Sequence, residues 1–146
     1  MRISIIAVGK IKQRGLRQEL DDYLGRIARY APCQEIELRD GDNAEVMLRF
    51  RKSIPERARV VALEVLGKAM DSHGLADFIA RSELESVPHV AFLIGGSYGL
   101  PPEVSKAADL QLSLSAMTLP HRLARLFLAE QIYRAYTINK GEPYSH

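Results

Sequence analysis

The amino-acid sequence predicts an α/β fold in which a mainly parallel sheet is flanked by helices. Two observations predict it. Short apolar runs typical of buried strands alternate with stretches whose apolar residues recur every three or four positions, as on one face of a helix. Parallel strands need a long crossover connection, usually a helix, so this alternation favours parallel pairing.

The first half of the chain contains two predicted strands and two predicted helices. Residues 3–8 form a continuous apolar run, typical of a strand buried on both faces. A second strand is expected over residues 33–38, where apolar and charged residues alternate. The first helix precedes it and is closed by Pro32, and the second follows, capped by Asn43 and ended before Pro55. The apolar stripe of the first helix consists of Leu16, Leu20, Leu24, Ile27 and Tyr30.

The second half continues the alternation. A third strand is expected over residues 59–66, ended by Gly67-Lys68, and Asp71-Ser72 offers an N-cap to the next helix. The remaining elements are a fourth strand over residues 89–94, a short helix opened by Pro101-Pro102, a fifth strand over residues 110–114 and a long helix over about residues 120–139.

The last helix is apolar on more than one side, and such a helix is buried on more than one side. A chain of 146 residues has little room to bury an outer helix twice. We therefore expect one side of this helix to meet a second copy of the chain in a homodimer. One broad arc carries Leu123, Leu126, Phe127 and Tyr133, and the opposite side carries Leu128 and Ile132.

Composition predicts one domain over residues 1–146. Of the 146 residues, 47% are hydrophobic and 26% are charged, enough for a real core. The single cysteine, Cys33, excludes an internal disulfide, and one thiol with four scattered histidines gives no metal-ligand spacing. No apolar run is long enough for a signal peptide or a membrane span. We therefore expect a cytoplasmic protein with no metal and no membrane partner.

The net charge of +2 is too small to argue for a nucleic-acid partner by itself. Two basic clusters are candidates for phosphate contacts, although such clusters also form solvated charged faces. They are Lys10-Lys12-Arg14-Arg17 and Arg49-Arg51-Lys52.

Two loops near the carboxyl end predict a binding pocket. Ile94-Gly95-Gly96 ends an apolar strand in a glycine pair, which lets backbone approach a ligand closely because no Cβ intervenes. The stretch from Leu112 to His121 carries small and hydroxyl side chains before a proline suited to a first helical turn. The glycine loop lacks the opening of a dinucleotide fingerprint, which disfavours a nicotinamide cofactor. The absence of a nucleophile elbow disfavours a hydrolase triad built from Ser113, Ser115, His121 and Glu130.

Five motifs follow one another over nearly the whole chain. They are Ile6-Ala7-Val8-Gly9-Lys10, Leu93-Ile94-Gly95-Gly96-Ser97, residues 112–121, Ala129-Glu130-Gln131-Ile132-Tyr133-Arg134-Ala135 and Gly141-Glu142-Pro143-Tyr144. Together they resemble the bacterial ribosomal RNA large subunit methyltransferase H family of the SPOUT superfamily. The resemblance implies an S-adenosylmethionine-dependent enzyme with a parallel sheet, a C-terminal trefoil knot and an active site completed by a homodimer.

The resemblance further implies methyl transfer to N3 of a pseudouridine in 23S rRNA, on the assembled ribosome. His121, Arg134 and Tyr144 then take catalytic positions. His121 lies beside the cofactor loop, Arg134 grips a phosphate or a uracil carbonyl, and Tyr144 stacks on or hydrogen-bonds the target base. By the same matching, the S-adenosylmethionine pocket falls on Leu63, Gly95, Leu114, Ser115, Ala116, Met117, Thr118 and Leu119.

The sequence departs from the family pattern at two places. Its tail reads Pro143-Tyr144-Ser145-His146, which displaces the family's tail histidine by one position, and the segment between Asp40 and Arg59 is shorter than usual. The altered tail keeps a non-catalytic ribosome- or RNA-binding module as one alternative function. A SPOUT methyltransferase acting on another RNA is the other.

Overall fold

The computed structural model describes residues 1–144, so Ser145 and the displaced tail histidine, His146, lie outside the described residues. In this part of the chain, five strands alternate with five helices, as the sequence predicts. Their bounds are β1 (Arg2–Val8), α1 (Arg14–Ile27), β2 (Cys33–Leu38), α2 (Asn43–Ser53), β3 (Ala58–Ala69), α3 (Ser72–Leu84), β4 (His89–Ile94), α4 (Pro102–Ala107), β5 (Leu110–Ser113) and α5 (His121–Lys140).

The strands form a parallel sheet in the order β2-β1-β4-β3-β5. Each neighbouring pair runs parallel; Ile3 of β1, for example, lies opposite Cys33 on one side and Val90 on the other. The predicted α/β fold with a mainly parallel sheet flanked by helices is confirmed. After β1 the chain continues to β2 at one edge of the sheet, and after β4 it continues to β5 at the other edge. Open α/β sheets bind ligands beyond the carboxyl ends of strands at such a reversal.

Helices cover both faces of the sheet, which explains the continuous apolar run of β1. Its side chains alternate, so Ile3 and Ile5 face α1, α3 and α5 while Ile6 and Val8 face α2 and α4. Full burial of one large aliphatic or aromatic side chain contributes about 1.5–3 kcal/mol. The first core includes Leu20, Ile27, Leu75, Ile79, Leu128 and Ile132, and the second includes Val46, Phe50, Leu93 and Val104.

The start of α2 differs from the prediction, because Asp42 rather than Asn43 is its N-cap. The Asp42 carboxylate accepts from the Glu45 backbone N–H at 2.9 Å, and the Glu45 side chain accepts from the Asp42 N–H at 3.1 Å. This reciprocal capping box satisfies two helix-end donors at once. Asn43 is instead the first helical residue.

Strand β3 is longer than predicted, because Gly67 does not end it. A Cβ on Gly67 would lie 2.7 Å from the Gln111 carbonyl oxygen, so glycine lets β3 run close against β5 here. Leu112 of β5 pairs first with Leu63 and then with Lys68, so the residues between them bulge out of the ladder. Leu66 at this bulge is fully exposed.

Candidate functional site

A cavity of about 610 Å³ opens beyond the carboxyl ends of β4 and β5, beside residues 63–65 of β3 and next to the N-terminus of α5. It brings together the two loops that the sequence singles out, together with Leu63 of β3. Seven of the eight predicted cofactor-binding residues line it: Leu63, Gly95, Leu114, Ser115, Met117, Thr118 and Leu119. The eighth, Ala116, is an exposed residue of the same loop and is not part of the lining.

At Gly95 the cavity wall has no room for a side chain. The loop after β4 turns back through a hydrogen bond from the Gly99 N–H to the Gly96 carbonyl at 3.0 Å. A Cβ on Gly95 would lie 2.2 Å from the Gly99 carbonyl carbon and 2.4 Å from the Leu100 nitrogen. Both are backbone atoms, so the loop would have to move. Glycine at position 95 therefore lets the loop turn back on itself, and the close approach of its backbone to a ligand stays a prediction.

The hydroxyl groups in the second loop shape its backbone. Ser113 Oγ donates to the Ser115 carbonyl at 3.0 Å, and Ser115 Oγ accepts from the Met117 N–H at 2.9 Å. These local hydrogen bonds are the turn-forming role typical of serine. A serine nucleophile needs a hydrogen bond to its histidine base, and neither serine is paired with His121 in the described structure. The geometry therefore argues against the hydrolase triad.

His121, the first residue of α5, lines the cavity as predicted. Its ring lies against Gly9 at the end of β1, where a Cβ would come 3.7 Å from His121 Cε1. The ring atom Nδ1 is buried and has no hydrogen-bond partner among the described residues. An unpaired buried polar atom is costly, and His121 Nδ1 is one of the few such atoms among the described residues.

Arg134 and Tyr144 lie together, but away from His121 of the same chain. Glu130 holds both: Arg134 Nη2 donates to its carboxylate at 2.6 Å and the Tyr144 hydroxyl donates at 2.8 Å. The Arg134 guanidinium also lies 5.0 Å from the centre of the Tyr144 ring. Glu130 comes nine residues after His121, about 14 Å along the helix at about 1.5 Å per residue.

The electrostatics of this pair make Tyr144 a hydrogen-bond donor at neutral pH. Burial, together with its contacts to Tyr23 and Glu130, raises the pKa of the Tyr144 hydroxyl above its usual value. The Glu130 carboxylate likewise raises the pKa of Arg134. Both groups therefore stay protonated, and neither is suited to accept a proton.

The two predicted basic clusters are only partly free to contact phosphate. Arg17 pairs with Asp21 at 2.7 Å and with Glu35, and Arg49 donates to the Arg39 carbonyl at 3.1 Å. By contrast, the side chains of Lys10, Lys12, Arg14, Arg51 and Lys52 are exposed.

Arg125 is a buried charge that the sequence analysis does not identify. Its side chain is fully buried, and its guanidinium pairs with Glu35 at 2.8 Å and Glu37 at 2.5 Å. The available signal is helical spacing: Arg125 precedes Leu128 and Ala129 by three and four residues, which places an arginine on the core-facing stripe of α5.

Within residues 1–144, no three His, Cys, Asp or Glu side chains are grouped so that they could hold a metal ion. No helix in this range is both long enough and apolar enough to cross a membrane.

Comparison with solved structures gives the same fold. The chain superposes on a probable methylase family protein from Haemophilus influenzae with a TM-score of 0.61, at 11% identity, covering 99% of this chain and 70% of the other. It superposes on a probable methyltransferase from Bordetella pertussis with a TM-score of 0.57, at 14% identity, covering 92% and 95%.

Sequence comparison is more specific. Residues 1–146 match the family described as "Predicted SPOUT methyltransferase". The chain is 52% identical over 147 residues to the ribosomal RNA large subunit methyltransferase H of Sorangium cellulosum, with both chains fully covered. It is 41% identical over 153 residues to the protein of that name from Geobacter metallireducens, covering 100% of this chain and 99% of the relative. The chain therefore belongs to the ribosomal RNA large subunit methyltransferase H family of SPOUT methyltransferases.

Proposed function

We propose that this protein methylates N3 of a pseudouridine in 23S rRNA on the assembled ribosome, with S-adenosylmethionine as methyl donor. The observation that carries the proposal is the cavity of about 610 Å³, whose lining contains seven of the eight residues that the family motifs assign to the cofactor. Its volume is in the range of small-molecule sites, about 300–1,000 Å³. The family membership supplies the reaction.

The residues present fit this donor. Gly95 and Gly96 provide backbone without side chains, and Leu63, Leu114 and Leu119 provide apolar walls for an adenine ring. When bound, S-adenosylmethionine supplies an electrophilic methyl group on a positively charged sulfur. The contribution of the chain is to hold the base near the donor and keep water out.

The acid–base roles follow from the position of His121 and from the raised pKa values of Tyr144 and Arg134. The N3 proton of the base must leave during methyl transfer, and a neutral histidine is the usual acceptor of such a proton. We assign this role to His121 because it is the histidine that lines the cavity in the described residues. Tyr144 and Arg134 remain protonated, so they donate to the oxygen of the base that gains negative charge. They are the predicted base-binding residues.

This division of labour requires two copies of the chain. Arg134 comes thirteen residues after His121, about 20 Å along α5 at about 1.5 Å per residue, so one copy provides the cavity and its partner provides the pair. Exposed apolar side chains near the cavity support a homodimer: Met117, Leu123 and Phe127 are 78%, 42% and 40% exposed. Residues 1–146 are then one SPOUT domain with the family's C-terminal trefoil knot, acting in the cytoplasm.

Mixed dimers test the shared site directly. Neither His121→Ala nor Tyr144→Ala should methylate ribosomes alone, but co-expression of the two should restore activity. A mixed dimer contains one site in which both residues are intact. Activity should not return when His121→Ala is combined with a chain that carries both changes. If the co-expressed pair stays inactive although mixed dimers are isolated, His121 and Tyr144 do not act across the dimer.

Substrate choice separates the proposal from its alternatives. Purified protein should transfer labelled methyl groups to 70S ribosomes from a strain lacking the gene, and not to free 23S rRNA or tRNA. Mass mapping of 23S rRNA from that strain should show one missing methyl group. Persistence of the methyl group would favour a non-catalytic RNA-binding module, and transfer to tRNA would favour a SPOUT enzyme for another RNA.

A further inference from the structure

The ion cluster around Arg125 combines a fully buried arginine with two carboxylates, an arrangement that is weak evidence for stability. Arg125 and Arg17 share the carboxylates of Glu35 and Glu37, which project from β2 toward α1 and α5. Removing charges from water costs several kcal/mol per ion, and apolar residues of similar volume often stabilise a fold at least as well. A fully buried arginine in this place therefore calls for another function.

The cluster holds both ends of the short loop that follows β1. Arg125 Nη2 donates to the Gly9 carbonyl at 3.0 Å, and Glu37 Oε2 accepts from the Ile11 N–H at 3.1 Å. Gly9 itself has a φ of +93°, a conformation that favours glycine. Three residues, Gly9 to Ile11, are thus fixed by one arginine and one glutamate.

The same loop is a wall against which His121 rests. His121 Cε1 lies 3.7 Å from the place that a Cβ of Gly9 would occupy. Arg125 is four residues after His121, on the next turn of α5, so the two side chains lie on the same side of the helix. Arg125 therefore holds the loop that supports the ring of His121.

We propose that Arg125 and Glu37 are positioning residues for His121: they fix the Gly9–Ile11 loop so that the His121 ring faces the cavity in one orientation. The inference rests on the proposed function for its effect on catalysis, but its effect on the His121 ring is independent of any activity. Glu37 is the better residue to test, because Arg125 is fully buried and its loss would leave two carboxylates without a partner.

Glu35 provides a matched control for Glu37. Both accept from Arg125 Nη1 and both pair with Arg17, but among the described residues only Glu37 accepts from the Ile11 N–H. We expect Glu35→Ala and Glu37→Ala to lower the melting temperature similarly. Only Glu37→Ala should also lower methylation turnover by about tenfold or more, since small misplacements of reacting groups cost up to about a hundredfold. Glu37→Gln keeps an acceptor for Ile11 and should restore much of the turnover.

The ring of His121 can be observed without substrate. In protein labelled at histidine, the imidazole signals are few, and His121→Gln identifies the one that belongs to His121. Glu37→Ala should displace this signal more than Glu35→Ala does, with the other histidine signals unchanged. Equal displacement by both variants, or displacement by neither, would overturn the positioning role. A displaced signal in a protein that methylates no RNA would instead refute the proposed function and leave the positioning role intact.

Should either alanine variant fail to fold, Glu37→Asp and Glu35→Asp replace them. Both keep the negative charge, but the shorter side chain at position 37 does not span from Arg125 to the Ile11 N–H. The same comparison then applies: Glu37→Asp should displace the His121 signal and lower turnover, and Glu35→Asp should do neither to the same extent.

Discussion

Replacing Gly95 with alanine adds one methyl group at the place where the cavity wall has no room for it. The new Cβ would lie 2.2 Å from the Gly99 carbonyl carbon and 2.6 Å from its oxygen. Carbon atoms in contact are about 3.5–4.0 Å apart, so the Gly95–Leu100 loop must move by about 1 Å or more. No flexible side chain can relieve the clash, because the atoms involved belong to the backbone.

The size of the effect of Gly95→Ala follows from the cost of overpacking, which is about 1–3 kcal/mol for an added methylene in a well-packed region. If this cost appears in the closing of the loop around the donor, affinity for S-adenosylmethionine falls about fivefold to 150-fold, at tenfold per about 1.4 kcal/mol. Isothermal titration calorimetry measures the affinity, and thermal unfolding reports any part of the cost that falls on the free protein.

Two other glycines serve as controls. Gly15 lies in the first turn of α1, has no positive φ and has no atom within 4 Å of the place that a Cβ would occupy. Gly15→Ala should therefore stabilise the protein by about 0.5–1 kcal/mol and leave the affinity for S-adenosylmethionine unchanged. Gly99 has open space but a φ of +82°, so Gly99→Ala tests strain without a clash. Wild-type affinity together with wild-type melting temperature in Gly95→Ala would refute the steric argument.

Three further predictions concern single groups. Glu130→Gln should lower turnover about tenfold, with less than about a threefold change in donor affinity, because Arg134 and Tyr144 lose a charged acceptor. Burial and, to a lesser extent, the charges of Arg2 and the N-terminus lower the pKa of His89. Folding therefore favours the neutral form of His89. The resulting contribution to folding stability is complete above the unfolded-state pKa of about 6.5 and is lost as the pH falls below it. Burial raises the pKa of Cys33 to about 12, so a thiol reagent at pH 8 should react slowly until the protein is unfolded.

Each of these has a result that would contradict it. A Glu130→Gln enzyme with normal turnover would show that the carboxylate does not position the pair. For His89, denaturant unfolding at pH 7.5 and pH 5.5 should show a smaller loss of stability in His89→Gln than in the wild type, whereas His73→Gln, at an exposed position, should behave as the wild type. Equal losses in all three proteins would exclude His89 as the source. Rapid, stoichiometric labelling of native protein would contradict the prediction for Cys33.

The fold class and the two cavity loops could be predicted from the order of residues alone. A continuous apolar run such as residues 3–8 indicates a strand that is buried on both faces, because neighbouring side chains of a strand point to opposite sides of the sheet. The glycine pair at 95–96 and the hydroxyl-rich stretch at 112–121 indicate tight local backbone turns, and such turns depend on few other parts of the chain. The family motifs then related these loops to a methyl donor.

Which charges meet could be learned only from the folded chain. Glu35 and Glu37 are charged positions in the alternating stretch 33–38, yet both pair with Arg125, which lies 90 and 88 positions later in the chain. The position of Tyr144 also emerged only from the fold of the tail, which brings its hydroxyl to Glu130. Strand and helix periods are local properties of a sequence, whereas contacts between distant segments depend on how the whole chain packs. The hydrogen bonds of Arg125 and Glu37 to the Gly9–Ile11 loop belong to that packing.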